Sequence, residues 1–517
     1  MDKQRSAAIV VCANAALLVG MSLYFILVPA FTVVRDLRDA HVREPGVPRA
    51  AVRLFRVLTP KYRRWAEDRL ASERAASLST RDISGTEWPL FGSVFYLWSV
   101  ESLQEAWERD GGFMDVPPEE YARKAVEAAT RLVIDPRHAS WVEQHWGGDY
   151  LHEENVFYRM LVIAALTSHA KLTGSGEHLD TLRDQVEGLS SELNASPHGL
   201  LDDYPDQCYP GDVLTAVACI RRADDVLGTD HAEFARRALR GFEGRALDER
   251  GLVPYAADSR TGQALGPSRG CGNSYVCLFA PELWPARAEA WYTLYEEHFW
   301  QEAGGVAGFR EFPEGMAGYD WYMDVDAGPV VGGFGVAGSA FGVGAARVNG
   351  RFDHAYPLTA EMLLASWPLP DGTLAVPRAL SNSTDAPYLG EAAILFNLTR
   401  MPADNVAVTT GGSIPPIVYI VLLLATGAAL ATMGLAALRV RRFLRKQNEL
   451  RMPRPWLQRT LWGVLVASAA LCLLLGQLVW GVLLLLGAQF LPRLRSSGTA
   501  EAALYPRRPR SGLQVGR

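Results

Sequence analysis

Cysteine is scarce in this chain of 517 residues, which contains only six. Four of them, Cys208, Cys219, Cys271 and Cys277, lie in the long central region, too few for a scaffold held by disulfides. Neither an HExxH motif nor a pair of CxxC motifs occurs, so the sequence predicts no metal site. Strand-like alternation is also scarce, which excludes a mainly β protein. Cys219 lies on an apolar helical face and is predicted to be core.

Charged residues are absent from three long stretches. Residues 7–31, 414–438 and 461–491 are apolar, and each is long enough to cross a bilayer. The first stretch follows Lys3 and Arg5 and has no clear small-residue cleavage site. We therefore predict a retained signal anchor rather than a cleaved signal peptide. The third stretch is unusually long, so a single span and a re-entrant hairpin both remain open.

Basic residues predict the orientation of these spans. Eight lysines and arginines and a single acid lie between the second and third stretches, which indicates a cytoplasmic loop. The N-terminus falls on the same side, and the main domain is then extracytoplasmic, anchored in the cell membrane. The predicted organisation is an anchor at 1–31, a helical lead-in at 32–84, a main domain at 85–412, a span at 413–438, a basic loop at 439–460, a span or hairpin at 461–491 and a basic tail at 492–517.

The main region is short of positive charge. Residues 32–412 contain 35 Lys plus Arg against 54 Asp plus Glu, a net charge of about −19. Such a surface repels phosphate backbones, so nucleic acid is excluded as a partner. The expected partners are the membrane, a small substrate and, as an open alternative, further copies of the chain.

A repeated pattern organises this region. Six segments, starting near residues 85, 150, 209, 271, 324 and 386, each combine a polar or glycine-rich turn with an apolar helix. Amphipathic helices such as 118–133 and 177–193 lie between them, with apolar residues at helical spacing. Six inner helices, each followed by an outer one, predict an all-α fold, an (α/α)6 barrel with transmembrane helices at both ends. The turns before the inner helices would then gather at one end of the barrel.

Three stretches of this region carry a family resemblance. HEENVFYRMLVIAALTSHAKLTG, GLLDDYPDQCYPGDVLTAVACIRRADDVLGTD and RALDERGLVPYAADSRTG resemble the linalool dehydratase/isomerase family in order and spacing. Members of that family are exported (α/α)6 enzymes that reversibly dehydrate and isomerise small terpene alcohols. The resemblance covers about residues 85–400. It implies a cofactor-free lyase or isomerase acting on a small, mostly apolar alcohol or alkene.

The resemblance is closer in the scaffold than in the catalytic residues. Glu154 and Asn155 match a Glu-Asn pair that opens the family's second inner helix, whereas Leu161 stands where the family has a histidine. Asp202 replaces a cysteine, and Cys271 occupies the position of an active-site tyrosine. A second family cysteine falls near Gly211 with Cys208 close by, and Glu87 takes a place similar to the family's N-terminal Asp/Tyr segment.

Dehydration of an alcohol requires an acid for the hydroxyl and a base for a neighbouring carbon-bound proton. Burial can raise the pKa of a carboxyl group towards the working pH, and aromatic faces can stabilise allylic cation character. The predicted catalytic residues are Asp202, Asp203, Glu87, Cys271, Cys208 and Asp326. The predicted substrate-binding residues are Trp88, Glu154, Asn155, Tyr158, Tyr204, Tyr209, Tyr275 and Trp321.

Several of these candidates also have a structural interpretation. Asp212 and Asp326 could cap the helices that follow them, and Glu87 could be a first-turn carboxylate favoured by the helix dipole. A disulfide between Cys271 and Cys277 would remove that thiol from catalysis. The GFGVAG sequence at 333–338 fits a nucleotide-binding pattern, but no strand precedes it, and close packing between helices explains it better.

Three functions remain open on the sequence. A lyase or isomerase predicts a closed pocket with convergent acid and base. A carbohydrate-active hydrolase or lyase, which also suits paired carboxylates on an (α/α)6 barrel, predicts an open groove lined by aromatic residues. A non-catalytic, anchored binding module predicts carboxylates that do not converge.

Overall fold

The structure, a computed structural model, describes residues 3–72, 74–79, 81–316, 318, 320–381, 384–446, 450–475, 477–491 and 493–496. The chain forms two compact units, one of residues 32–420 and one made of the two ends of the chain. Most of the tail predicted at 492–517 lies outside the described residues. The described chain is mainly α-helical, which confirms the predicted all-α class.

The N-terminal span is a nearly continuous helix. Helix α1 (Lys3–Ser22) passes through one π-helical turn (Leu23–Leu27) into α2 (Val28–Asp36). Residues Ala7–Asp36 are long and apolar enough to cross a membrane, as predicted for this end of the chain.

The larger unit contains fourteen α-helices among its described residues. In chain order they are α3 (Arg49–Ser72), α4 (Ile83–Asp110), α5 (Pro118–Ile134), α6 (Ser140–Trp146), α7 (Val156–Thr173), α8 (Leu179–Ala195), α9 (Pro210–Leu227), α10 (Ala232–Ala238), α11 (Gly270–Leu283), α12 (Pro285–Phe299), α13 (Val336–Val348), α14 (Phe352–Ser366), α15 (Ala375–Ser381) and α16 (Leu389–Thr399).

Six of these helices contain the apolar segments that repeat in the sequence. Helix α4 packs against α7, α7 against α9, α9 against α11, α11 against α13, α13 against α16, and α16 against α4. Their mutual faces are aromatic: the ring of Phe95 on α4 stacks on Phe396 of α16 at 5.1 Å, and Trp98 lies 5.2 Å from Phe279 of α11. These helices have apolar residues on most sides because neighbours cover most sides.

The other long helices lie against this set with one apolar face. Helix α5 packs on α4 and α7, α8 on α7 and α9, α12 on α11, and α14 on α13. The sequence of α5 explains why only one face is buried, because its buried residues, which include Ala122, Val126 and Val133, recur at helical spacing. Pro118 at its start and the acids Glu119 and Glu120 in its first turn favour the N-terminus of a helix.

The segment before α13 is a sheet, and here the sequence prediction was wrong. The fifth repeated segment, which starts near residue 324, was predicted to be a polar or glycine-rich turn followed by an apolar helix, but strands β5 (Trp321–Asp324), β6 (Gly328–Val331) and β7 (Phe334–Gly335) form an antiparallel sheet before that helix. Val330 and Val331 favour strand, and two positive-φ glycines, Gly332 and Gly333, form the turn into β7. Two smaller hairpins precede it in the chain, β1 (Ala257–Asp258) with β2 (Gln263–Ala264) and β3 (Trp300–Ala303) with β4 (Val306–Phe309).

Glycines allow α13 to approach its neighbours closely. A Cβ on Gly338 would lie 3.1 Å from the carbonyl carbon of Gly270 on α11, and one on Gly344 would lie 2.3 Å from Oδ1 of Asn397 on α16. Gly338, the last residue of GFGVAG, makes one of these close approaches, whereas the expectation that no strand precedes this sequence was wrong, because β6 ends at Val331 and Phe334–Gly335 is β7.

The C-terminal end contains α17 (Pro416–Arg445), α18 (Pro455–Leu474) and α19 (Leu478–Ala488), with short strands β8 (Leu450–Arg451) and β9 (Arg495–Ser496) paired. Helix α17 and Trp456–Leu474 of α18 are apolar and long enough to span a membrane. The long third stretch is thus two helices that pack against each other. The 11 residues of α19 reach only about 16 Å, roughly half of a hydrocarbon core.

Candidate active site

The loop before α9 folds into a tight turn. Asp206 has a left-handed φ of 62°, and the amide of Gln207 donates to the carbonyl oxygen of Tyr204 at 2.8 Å. The amide of Ala257 donates to the carbonyl oxygen of Cys208 at 3.0 Å, which fixes the loop to the segment before α11. This acidic stretch is therefore held by a backbone hydrogen bond within itself and by another to the segment before α11.

Asp203 is the buried acid of this loop. Its side chain is 1% exposed, and its Oδ2 accepts a 2.7 Å hydrogen bond from the amide of Tyr209, the residue before α9. Burial, reinforced by the nearby charge of Asp212, raises the pKa of Asp203 well above its usual range. Asp203 therefore tends to keep its proton.

Three further carboxyl groups act on one another electrostatically: Glu87 on α4, Asp212 in the first turn of α9, and Asp326 in the β5–β6 turn. The hydroxyl of Tyr204 lies near the Glu87 carboxyl group, and the hydroxyl of Tyr255 donates to Oδ2 of Asp326 at 2.5 Å. We name Glu87, Asp212 and Asp326 the carboxyl cluster.

Two members of the carboxyl cluster, Glu87 and Asp212, hold protons near neutral pH. Burial, reinforced by the charge of Asp326, raises the pKa of Glu87 to about 7. Burial and the charges of Asp326 and Glu87 raise the pKa of Asp212 to about 7. Burial also raises the pKa of Tyr209 to about 12 and moves those of Tyr204 and Tyr255 upward, so these phenols act as donors. Two carboxyl groups that titrate near neutral pH can give and take protons there.

Aromatic rings lie beside the carboxyl cluster. Phe91, one helical turn beyond Glu87, lies with its ring 5.8 Å from Phe157 of α7 and 6.1 Å from Tyr275 of α11. The ring of Tyr275 is 5.7 Å from that of Phe341 on α13. The inner helices therefore place an apolar, aromatic surface close to the acids.

A second buried network lies at the start of α11. Glu311 is 0% exposed, and its Oε1 accepts from Nε of Arg269 at 2.7 Å and from Sγ of Cys271 at 3.1 Å. Nη2 of Arg269 also pairs with Oδ2 of Asp324 at 2.8 Å, and its guanidinium lies 4.3 Å from the ring centre of Tyr255. Burial and the charge of Glu311 raise the pKa of Cys271, which is therefore a thiol and not a ready base.

Several predicted residues have partners that support the loop or the helices. The amide of Asp202 donates to Oε2 of Glu154 at 2.9 Å, and its own carboxylate accepts from the amide of Asp206 at 3.0 Å. Asn155 has a φ of 28° and donates to the carbonyl of Tyr150. The hydroxyl of Tyr158 donates to the Val133 carbonyl of α5 at 3.0 Å.

The remaining predicted residues lie at the edges of this region. Cys208 is 1% exposed, and burial with the charge of Asp203 raises its pKa, so it too is a thiol. Trp88 is partly buried on α4 beside Glu87. Trp321 begins β5 and is 75% exposed, on the hairpin that carries Asp326.

The structural interpretations of three candidates do not hold. The residue before α9 is Tyr209, so Asp212 lies inside the first turn rather than at the cap, and the cap of α13 is Gly335, far from Asp326. Asp82 caps α4 with an acceptor for the amide of Gly85, and Glu87 lies beyond the first turn. All six cysteines are free thiols, so the Cys271–Cys277 disulfide does not form.

Sequence reasoning did not select Tyr255, Arg269 and Glu311. Tyr255 is 71 residues from its partner Asp326, and Glu311 is 42 from Arg269, so no local spacing connects them. Arg269 could have been selected from the sequence because it lies directly before the glycines that begin α11.

No family model matches this chain, and no curated protein matches it.

Proposed function

We propose that the larger unit is a membrane-anchored lyase or isomerase that adds, removes or shifts the hydroxyl group of a small, mostly apolar alcohol by acid–base catalysis. The observation that carries this proposal is the convergence of Glu87, Asp212 and Asp326 from three separate elements, with Tyr204 and Tyr255 as hydrogen-bond donors. Carboxylates that only cap helices would each interact with backbone amides and would not shift one another's pKa.

The carboxyl cluster provides both protonation states at once. When one of the coupled groups loses its proton, its negative charge raises the pKa of its neighbour, so a protonated and an ionised carboxyl coexist near neutral pH. In the proposed reaction Glu87, held by Tyr204, protonates the leaving hydroxyl. Asp212 takes a proton from the adjacent carbon, which forms the alkene and releases water. The reverse sequence hydrates the alkene.

The aromatic surface supports an apolar substrate. Phe91, Phe157 and Tyr275 give a face that favours hydrocarbon and can stabilise the positive charge that develops on an allylic carbon.

The cycle of contacts among the six inner helices supports a closed (α/α)6 barrel, with the carboxyl cluster at one end. The resemblance of residues 85–400 to the linalool dehydratase/isomerase family points to the same chemistry. The three candidate spans support membrane anchoring, with the larger unit proposed to be extracytoplasmic.

One observation favours a carbohydrate substrate as the second candidate. Trp321 and Met323 are 75% and 76% exposed on β5, next to the turn that carries Asp326. An exposed tryptophan beside a pair of carboxyl groups can stack on a sugar ring and would place a glycosidic bond at the carboxyl cluster.

The experiment uses the full-length protein in detergent, incubated without oxygen with a panel of terpene and shorter allylic alcohols. Products are separated by gas chromatography and identified by mass spectrometry. Asp212→Asn and Glu87→Gln should lower conversion at least about 100-fold, the usual contribution of a general acid or base. Glu153→Gln, an equal charge change at an exposed loop residue, should convert like the unmodified protein.

Alkene or rearranged alcohol that disappears only in the two cluster variants supports the proposal. Release of reducing sugar from a glycan panel, with no product from any alcohol, would replace it with the second candidate. Folded protein that converts neither panel would contradict both and leave a binding module.

A further inference from the structure

A group of three potential metal ligands lies at the far end of α7 from the carboxyl cluster. His169 is in the last turns of α7, and Glu177 and His178 lie in the loop that leads into α8. Phe157, near the carboxyl cluster, precedes His169 by 12 residues, which is about 18 Å along a helix. This group is therefore separate from the proposed active site.

The loop that carries two of the ligands has a defined shape. Gly174 ends α7 with a left-handed φ of 67°. The amide of Ser175 donates to Oγ1 of Thr173 at 3.1 Å, and the amide of Glu177 donates to Oγ of Ser175 at 3.2 Å. The loop therefore presents Glu177 and His178 towards one end of α7 without the help of an ion.

The buried member of the group has an unused ligand atom. His169 is 6% exposed, and its Nδ1 is buried with no hydrogen-bond partner among the described residues. Its ring centre lies 5.3 Å from that of His178, and the potential ligand atoms of all three residues lie within 4.8 Å of one another. A buried imidazole nitrogen without a partner costs free energy unless something binds it.

We propose that His169, Glu177 and His178 bind a divalent transition-metal ion, with Zn²⁺ as the best match. Two imidazoles and one carboxylate are a ligand set that zinc accepts, and water completes four-coordination. Ligand atoms around tetrahedral zinc lie about 3.3 Å apart, so Glu177 and His178 need to move inward by at most about 1.5 Å. Both belong to a connecting loop, and changes of side-chain rotamer can provide that movement.

The charges around the site fit a bound cation. Glu127 on the neighbouring α5 and Glu177 both add negative charge close to His169. Arg123 adds a positive charge nearby, but its guanidinium donates to the Thr173 carbonyl at 3.3 Å. A bound ion would join the end of α7 to the start of α8 and stabilise their connection.

The test measures zinc binding by the intact protein. Tag-free full-length protein in detergent is stripped with a chelator, and its zinc affinity is measured by competition with a chromophoric chelator. Cobalt substitution reports the geometry through its visible absorption. The unmodified chain should bind about one zinc ion at this site. His178→Ala and Glu177→Gln should weaken that binding at least about 100-fold, since loss of outer-shell partners alone costs 10 to 100-fold.

Two matched controls distinguish a specific site from general charge effects. Asp180→Asn removes an exposed acid from the first turn of α8, and His298→Ala removes a histidine from α12. Both should bind zinc like the unmodified protein, and zinc should raise the unfolding temperature of the controls but not of the ligand variants. Absence of zinc binding by the unmodified chain, or equal binding by all variants, would overturn the proposal.

Discussion

The hydroxyl of Tyr255 donates a 2.5 Å hydrogen bond to Oδ2 of Asp326 and so joins the segment before α11 to the hairpin before α13. The same tyrosine ring lies 4.3 Å from the guanidinium of Arg269 and 5.3 Å from the ring of Tyr209. Tyr255 thereby connects the buried Arg269–Glu311 network to the carboxyl cluster. Its phenol therefore fixes the position of the Asp326 carboxylate in the fold.

Tyr255→Phe should release Asp326 while the ring and its packing remain. We expect conversion of any accepted alcohol to fall at least about 10-fold, and the free energy of unfolding to fall by about 1 kcal/mol, the usual contribution of one hydrogen bond. Tyr322→Phe on the same hairpin removes a hydroxyl that donates to Asp324 at 2.9 Å and serves as the control. Equal conversion by Tyr255→Phe and the unmodified protein would mean that Asp326 needs no positioning by Tyr255.

The raised pKa of Glu87 predicts how stability depends on pH. In the unfolded chain this carboxyl has its usual pKa near 4.5, whereas in the fold its pKa is about 7. The protonated form is therefore favoured by folding, and the stability that it contributes is present below pH 4.5 and lost as the pH rises to about 7. The whole shift corresponds to at most about 3 kcal/mol.

Glu87→Gln should remove this pH dependence because the amide does not titrate. Relative to the unmodified protein, the variant should gain stability between pH 5 and pH 8, measured by urea unfolding of the full-length protein in detergent. Glu153→Gln, at an exposed position, should show no such change. A difference between Glu87→Gln and the unmodified protein that stays constant over this range would show that the carboxyl group ionises as easily in the fold as outside it.

Replacing Glu311 by glutamine is a small chemical change that should destabilise the fold strongly. It accepts hydrogen bonds from Arg269 and Cys271 in a fully buried position, and Glu311→Gln removes the charge that balances Arg269. Asp324 then remains as the second partner, so we expect a loss of about 3 kcal/mol in the free energy of unfolding, at the low end for a broken buried pair. Glu314→Gln, an exposed neighbour, should change it by less than about 0.5 kcal/mol. Similar unfolding curves for the two variants would contradict the structural role given to this ion pair.

The helices and the carboxyl positions were predictable because their signals are local. Apolar residues at helical spacing indicated α5 and α7, and an acidic turn before an inner helix pointed to Asp203. Asp326 was selected for the same reason, although a hairpin and not a helix follows it. The partners of those acids were not predictable from spacing, since Tyr255 reaches Asp326 across 71 residues. The sheet before α13 was missed because its alternation is only four residues long in β5 and is mixed with glycines.

Local signals also explain why Asp202 and Glu154 were predicted as site residues. Asp202 and Glu154 belong to acidic, turn-rich stretches similar to those of the carboxyl cluster, and composition does not separate an acid that interacts with other carboxyl groups from one that accepts a backbone amide. The structure separates them by a single contact, the 2.9 Å hydrogen bond from the Asp202 amide to Glu154. Which acid faces inward depends on the tertiary packing of α7 against the loop, and that packing is encoded far from either residue.

The start of α11 offers a test that depends on backbone packing alone. A Cβ on Gly270 would lie 1.9 Å from the carbonyl oxygen of Arg310, whereas a Cβ on Gly272 would meet only the Tyr255 ring at 3.6 Å. Both glycines lie in the first turn of the same helix, so the helix propensity gained by alanine is equal in the two variants. Gly270→Ala must push the Arg310 backbone away, and with it the neighbouring Glu311 that holds Arg269.

We expect Gly270→Ala to lower the free energy of unfolding by at least about 3 kcal/mol, beyond ordinary overpacking. Gly272→Ala should stay within about 1 kcal/mol of the unmodified protein. Urea unfolding of both variants at one pH decides the matter, since equal stability would show that α11 does not approach the Arg310 backbone as closely as described.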